Sequence, residues 1–170
     1  MSKKDLKRIK VLILDVDGVL TDGRIIFDSD GRETKVFDVQ DGLGIVCWQK
    51  LGSRVAIISS RASNVITHRA KDLEIKHVYM GVFPKMTAYE KLLKILKVKD
   101  EDVCFVGDDL ADLGILKRVG FSVAVSNAVT EVKSICDYVT KKSGGRGAVR
   151  EVIEVILNAQ GKWTTVVEHF

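Results

Sequence analysis

The sequence predicts a three-layer, Rossmann-like α/β fold, in which helices cover both faces of a central parallel sheet. Short apolar runs alternate with segments of helical periodicity along the chain, which is typical of crossovers between parallel strands. The 170 residues are 46% hydrophobic, enough for one domain (1–170) with a sizeable core. Polar side chains directly follow several apolar runs, at the edge where such sheets place their ligands.

The first elements are a strand, a hairpin and a helix. Residues 11–14 are four large aliphatic residues in succession, which predicts a buried strand. Two short β segments around an Asp-Ser-Asp-Gly turn predict a protruding hairpin within residues 24–37. Asp41 is suited to cap a helix over 42–50, which Gly52 ends.

The same alternation continues to the end of the chain. Further strands are predicted at 54–58, 77–80, 103–106, 122–125 and near Tyr138, and helices at 63–73, 86–96, 111–119, 129–135 and 149–158. Residues 161–170 then form an apolar-ended tail, which we expect to be able to reach a neighbouring subunit.

Charge, cysteine content and hydropathy indicate what kind of partner and which cellular compartment to expect. The formal charge of +4 is a mild excess that suits an anionic small molecule, and no basic stripe indicates a nucleic-acid partner. Three separated cysteines without Cys-x-x-Cys spacing are typical of reduced core residues and predict a cytoplasmic location. No apolar stretch approaches the length of a membrane span, so no membrane partner is expected.

Asp15 and Asp17 end the first strand, and two interpretations fit this pair alone. The carboxylates could open a solvated turn, or they could belong to a site formed with other groups. Further candidate groups follow the later strands: Ser59, Lys85, Asp108, Asp109 and Asp112. Because the carboxyl ends of parallel strands share one edge, the sequence predicts that all of these side chains meet in one cleft.

The chemistry of these groups indicates phosphoryl transfer. Carboxylates without His or Cys make a hard oxygen site, which suits Mg²⁺ rather than Zn²⁺. A metal, a lysine and a hydroxyl together can bind and neutralise a phosphoryl group. One carboxylate can attack phosphorus, while a second, two residues on, can protonate the leaving oxygen and then activate water.

The chain resembles the haloacid dehalogenase superfamily in four motifs and in their order. These are Asp15-Val16-Asp17-Gly18-Val19-Leu20-Thr21, Ser59 after Ile57-Ile58, Lys85, and Gly107-Asp108-Asp109-Leu110-Ala111-Asp112. The gaps between motifs hold only a hairpin and one β/α pair, so the resemblance is to capless members. It implies a sugar-acid phosphate as substrate, and a homotetramer in which a neighbouring subunit closes the entrance.

The resemblance also implies a role for each residue. Asp15 would be the nucleophile, Asp17 the general acid and base, Ser59 a donor to the phosphoryl oxygens and Lys85 the neutralising cation. Mg²⁺ would be bound by the side chains of Asp15 and Asp108 and by the backbone carbonyl of Asp17. Supporting groups and candidate substrate contacts complete the set: Asp109 and Asp112 for the metal and the lysine, and Thr21, Ser60, Arg61 and Arg146 for the substrate.

Alternatives stay open at this stage. Asp109 and Asp112 could merely cap the next helix, and the basic, glycine-rich segment around Arg146 could be an ordinary loop. The whole chain could instead be a phosphatase of another sugar phosphate, a phospho-accepting receiver domain, or a non-catalytic tetramerisation module like those fused to nucleotide-sugar synthetases. A receiver domain has its acceptor midway along the chain, whereas here the acidic pair is on the first strand.

Overall fold

The structure is a computed structural model that describes residues 5–168. Its strands are β1 (Val11–Leu14), β2 (Ile26–Phe27), β3 (Glu33–Thr34), β4 (Arg54–Ile58), β5 (His77–Tyr79), β6 (Val103–Gly107), β7 (Phe121–Ala124) and β8 (Tyr138–Val139). Six of them form a parallel sheet in the order β5-β4-β1-β6-β7-β8, while β2 and β3 pair separately as an antiparallel hairpin.

Helices connect the strands and flank the sheet. They are α1 (Val39–Lys50), α2 (Asn64–Asp72), α3 (Met86–Leu96), α4 (Leu113–Leu116), α5 (Thr130–Ile135), α6 (Ala148–Ala159) and α7 (Trp163–Glu168). Single 3₁₀ turns occur at Leu6–Arg8, Asp100–Asp102 and Leu110–Asp112. The predicted α/β fold is confirmed, and residues 5–168 contain no separate cap domain.

The central strand β1 sets the position of the site. All four of its residues are buried, and removing each of these aliphatic side chains from water stabilises the fold by about 1.5–3 kcal/mol. Leu14 pairs with Ile57 on β4 and with Val106 on β6, so the three central strands end level with one another. The residues that follow these strands therefore start from one edge of the sheet.

Within residues 5–168, no helix combines the length and apolar character needed to cross a bilayer.

The prediction that Asp41 caps its own helix was wrong. Helix α1 begins earlier, at Val39, because Asp38 is extended and accepts hydrogen bonds from the backbone N–H groups of Gln40 and Asp41. The buried Asp41 carboxylate instead accepts from the N–H groups of Gly147 and Arg150, at the start of α6. Burial raises the pKa of Asp41 to about 6 despite these bonds. Asp41 thus joins α1 to α6.

The segment after α6 folds back onto the same chain. Within the predicted tail, residues Trp163–Glu168 form α7, in which Val166 is buried. The guanidinium of Arg150 on α6 stacks over the Trp163 ring, 4.9 Å from its centroid. Residues 169 and 170 of the predicted tail lie outside the described residues.

The glycine-rich segment after β8 packs against the turn that follows β1. A Cβ atom at Gly144 would lie 1.7 Å from the carbonyl oxygen of Gly18, so only glycine fits there. Asn127 joins the two segments: its amide donates to the Gly18 carbonyl at 3.1 Å and accepts from the Gly144 N–H at 2.7 Å. Direct backbone packing therefore accounts for this glycine.

We expect the Gly144→Ala substitution to lower the free energy of unfolding by about 1–3 kcal/mol, because the added methyl group forces two backbone segments apart. The matched control is Gly114→Ala in α4, where the new Cβ would contact only the flexible end of Met86 at 3.3 Å. That variant should stay within about 1 kcal/mol of the wild type. Urea denaturation measures both, and equal stability of the two variants would contradict the packing described here.

Candidate active site

A tight turn after β1 brings the first two carboxylates into place. The Asp15 N–H donates to the Val106 carbonyl at 3.1 Å, which ties the residue to the neighbouring strand β6. Gly18 adopts φ +95°, and a Cβ atom there would lie 2.0 Å from the Asp108 carboxylate. Glycine at this position allows the Asp108 side chain to approach the turn.

The side chains that follow the sheet strands meet in one cleft of about 160 Å³. Its lining consists of Asp15, Asp17, Ser59, Ser60, Arg61, Lys85, Asp108, Asp109, Ala111 and Asp112. A larger cavity, of about 320 Å³, lies at the amino ends of β4 and β5 near Arg54 and His77. The cluster of carboxylates belongs to the smaller cleft, so the candidate site is there.

Lys85 lies at the base of this cleft, immediately before α3. Its ammonium group donates to Asp15 Oδ1 and to Asp112 Oδ1, each at 2.7 Å, and all three side chains are buried. Burial acts to lower the pKa of Lys85, but the two carboxylates outweigh it and the pKa is raised. Lys85 therefore carries a fixed positive charge beside Asp15.

The two acids that the sequence assigned to supporting roles have different contacts. Asp112 is fully buried, and its second oxygen accepts from the N–H of Asp108 at 3.0 Å while the first accepts from Lys85. Asp112 therefore fixes both the lysine and the start of the loop. Asp109 is exposed, and its carboxylate accepts from the N–H of Leu110 at the start of a 3₁₀ turn, the capping role that the sequence left open.

Negative charge is crowded around Asp15 and Asp108. Together with Asp112, each offers a carboxylate oxygen within 4.8 Å of the others. Burial, with the charges of Asp15 and Asp112, raises the pKa of Asp108 to about 8. Burial and the charge of Asp112 likewise raise the pKa of Asp15 to about 6, against the opposing effect of Lys85. One lysine does not balance these charges.

This donor set fits a magnesium ion. Asp108 Oδ1 is buried and has no hydrogen-bond partner among the described residues, an arrangement that is costly unless a cation or water contacts the oxygen. Both oxygens of Asp112 already accept hydrogen bonds, so Asp15 and Asp108 are the acids free to bind a metal. Carboxylate oxygens are the ligands that Mg²⁺ prefers.

The Asp17 side chain contacts the hairpin and the loop after β4. Its Oδ1 accepts from Lys35 Nζ at 2.5 Å, and its Oδ2 lies 3.4 Å from Arg61 Nε. The sequence analysis missed Lys35 and its neighbour Glu33, although charged residues two apart in an extended segment share one side. The metal contact predicted for the Asp17 backbone carbonyl stays a prediction.

The remaining predicted residues divide into two groups. Ser59 is buried at the end of β4, and its hydroxyl oxygen accepts from the N–H of Arg61 at 3.2 Å, which leaves its proton available to donate. Thr21 is buried inside the β1 turn, where its hydroxyl accepts from the Gly18 and Gly23 N–H groups. Arg146 is exposed. Neither Thr21 nor Arg146 lines the cleft, and their substrate contacts stay predictions.

The fold and the carboxylate cluster define a class of protein. The sequence profile of the haloacid dehalogenase-like hydrolases matches residues 75–153, which include Lys85 and the Asp108 to Asp112 loop. The match therefore covers the lysine and the later acidic loop described above, and the first-strand acids precede it.

More specific relatives cover nearly the whole chain. The 3-deoxy-D-manno-octulosonate 8-phosphate phosphatase KdsC of Escherichia coli (strain K12) is 46% identical over 156 residues, which span 92% of this chain and 83% of that protein. The crystal structure of 3-deoxy-D-manno-octulosonate 8-phosphate phosphatase from Moraxella catarrhalis, in complex with magnesium, phosphate and KDO, superposes with a TM-score of 0.95 at 43% identity, covering 98% of this chain and 95% of that one. The cobalt-bound deoxy-D-mannose-octulosonate 8-phosphate phosphatase from Haemophilus influenzae superposes with a TM-score of 0.90 at 42% identity, covering 93% of this chain and 92% of that one. The chain therefore belongs to the haloacid dehalogenase-like hydrolases, and within them to the family of these phosphatases.

Magnesium should stabilise the protein more at high pH than at low pH. The raised pKa values of Asp15 and Asp108 mean that both acids ionise less readily in the folded than in the unfolded chain. Without metal, their contribution to the free energy of unfolding is therefore greatest near pH 4 and is lost as the pH rises toward about 8. Mg²⁺ binds the ionised carboxylates and reverses this loss.

Thermal unfolding with and without Mg²⁺ at several pH values measures this effect. The Asp108→Asn variant should lose most of the Mg²⁺-dependent increase in Tm. The Asp30→Asn variant, at an exposed hairpin acid, should keep it. An increase in Tm that is the same at pH 5 and pH 8, or one that survives in Asp108→Asn, would contradict the assignment of these acids to the metal.

Proposed function

We propose that the protein is a Mg²⁺-dependent phosphomonoesterase that converts 3-deoxy-D-manno-octulosonate 8-phosphate to 3-deoxy-D-manno-octulosonate and phosphate, in lipopolysaccharide biosynthesis. The observation that carries the proposal is the buried Lys85, which bridges Asp15 and Asp112 beside the unpartnered Asp108 oxygen. The relatives named for this activity support the choice of substrate.

In the first half of the reaction, a carboxylate oxygen of Asp15 attacks phosphorus and the bond from phosphorus to the sugar oxygen breaks. The departing alkoxide takes a proton from the carboxyl group of Asp17. Lys85 and the Ser59 hydroxyl bind the phosphoryl oxygens and offset their charge. The products of this half are the free sugar acid and a phosphorylated Asp15.

In the second half, Asp17 is ionised and takes a proton from a water molecule as the water attacks phosphorus. The bond between phosphorus and the Asp15 oxygen then breaks, which releases phosphate and restores both carboxyl groups to their starting forms. A magnesium ion held by Asp15 and Asp108 would supply further positive charge for the phosphoryl oxygens.

Asp15→Asn should lower kcat by about 10⁴-fold or more while leaving the fold intact, because an amide cannot form the phosphorylated intermediate. Asp30→Asn, in the exposed hairpin turn, is the matched control and should keep full activity. Phosphate release from 3-deoxy-D-manno-octulosonate 8-phosphate in Mg²⁺ measures both, and circular dichroism reports the fold. Retained turnover in Asp15→Asn would contradict the mechanism, and equal hydrolysis of hexose phosphates would contradict the substrate.

The proposal includes self-association and a cytoplasmic location. Ile25, Ile26, Phe27 and Val36 expose between 43% and 61% of their surfaces on and beside the hairpin, an apolar patch suited to contact between subunits. A homotetramer built through this patch would also cover a cleft that has no cap of its own. The free cysteines Cys47, Cys104 and Cys136 support a reducing compartment.

The double substitution Ile26→Ser and Phe27→Ser should shift the protein from tetramer toward monomer, because it removes apolar surface from the patch. Val167→Ser, at an equally exposed apolar residue on α7, is the control and should leave assembly unchanged. Sedimentation velocity measures the oligomeric state of each. A wild-type monomer, or an unchanged tetramer in the double variant, would contradict a hairpin interface.

A further inference from the structure

Four charged side chains form a closed ring at the hairpin side of the cleft. Lys35 Nζ lies 2.5 Å from Asp17 Oδ1 and 3.2 Å from Glu33 Oε1. Arg61 completes the ring, with its Nη2 at 2.9 Å from the same Glu33 oxygen and its Nε at 3.4 Å from Asp17 Oδ2. Positive and negative groups alternate, and each oxygen of Asp17 faces one cation.

The burial of Lys35 needs an explanation. Its side chain is 0% exposed, whereas lysine is almost never fully buried unless it is paired. Buried ion pairs add little net stability compared with apolar packing, because both charges lose their hydration. A gain in stability is therefore a poor reason for this arrangement, and an effect on the position of Asp17 is a better one.

The ring joins three separate segments of the chain. Asp17 belongs to the turn after β1, Glu33 and Lys35 to the hairpin, and Arg61 to the loop after β4. Glu33 holds both cations: hydrogen bonds from Ser63, Lys35 and Arg61 lower its pKa against the opposing effect of burial. Lys35 donates a hydrogen bond to one Asp17 oxygen, whereas Arg61 Nε lies 3.4 Å from the other oxygen as an ion pair without a hydrogen bond. Lys35 is therefore the group that most restricts rotation of the Asp17 carboxylate.

We propose that Lys35 is a positioning residue that fixes the carboxylate of Asp17 in the cleft, with Glu33 and Arg61 holding Lys35 and the ring in place. The inference rests on the proposed function, in which Asp17 transfers the proton. The hairpin is then part of the reaction machinery as well as a surface for assembly.

Lys35→Met tests this, because it keeps the length of the side chain and removes its charge. Its kcat/KM for the sugar-acid phosphate should fall by about 10²-fold, the cost of a displaced reacting group. Its kcat/KM for p-nitrophenyl phosphate should fall by less than about threefold, since that leaving group departs without a proton and needs little general acid catalysis. Glu33→Gln should show the same selectivity, with a smaller loss.

A cycle with Asp17→Asn separates positioning from structural damage. If Lys35 acts through Asp17, Lys35→Met should cost less than about twofold in kcat/KM for the sugar-acid phosphate when Asp17 is already Asn. Arg32→Met removes an exposed hairpin cation and should match the wild type. Equal losses on both substrates, additive losses in the double variant, or no loss in Lys35→Met would overturn the inference.

The wild-type measurement keeps the two proposals apart. Failure of the wild type to hydrolyse the sugar-acid phosphate would contradict the proposed substrate and would say nothing against Lys35. In that case the same comparison of variant to wild type is made with whichever alkyl phosphate the protein hydrolyses.

Discussion

The contact of Lys85 with both Asp15 and Asp112 is the interaction on which the site depends. Three carboxylates crowd the end of the central strands, and Lys85 is the buried cation among them. Removing one member of a buried ion pair leaves an uncompensated charge, at a cost of about 3–5 kcal/mol. Lys85 is thus needed to keep the carboxylates together. The negative charge that it leaves unbalanced suits a metal ion, and its own positive charge suits a phosphoryl group.

The fold supports this cluster through backbone packing. Strand β1 is central and fully buried, so its carboxyl end is held between β4 and β6. The turn after β1 is held in place by Gly144 and Asn127 from the far end of the sheet. Its direction sends Asp15 toward Lys85 and Asp17 toward Lys35 on the hairpin. Two acids separated by a single residue thus have different surroundings, which suits different roles.

Much of this was predictable because parallel topology determines which residues share an edge. Asp15, Lys85 and Asp108 each follow an apolar strand or its connection, and the sheet order brings those ends together. The ring around Lys35 was not predictable, because it depends on how the hairpin lies against the sheet, which strand periodicity does not encode. The capping role of Asp41 was predicted wrongly for a similar reason. Asp38 and Asp41 both suit the start of a helix, and which of them caps α1 depends on where α6 packs.

The central claim is that Asp15 becomes phosphorylated while Asp17 moves the proton. Rapid acid quench during the first turnover of 3-deoxy-D-manno-octulosonate 8-phosphate, followed by borohydride reduction and peptide mass spectrometry, locates the acyl phosphate directly. The account predicts conversion of residue 15 alone to homoserine, with none when Asp15→Asn is treated in the same way. Modification of Asp17 or Asp108, or phosphate release in the first turnover without modification of any aspartate, would contradict it.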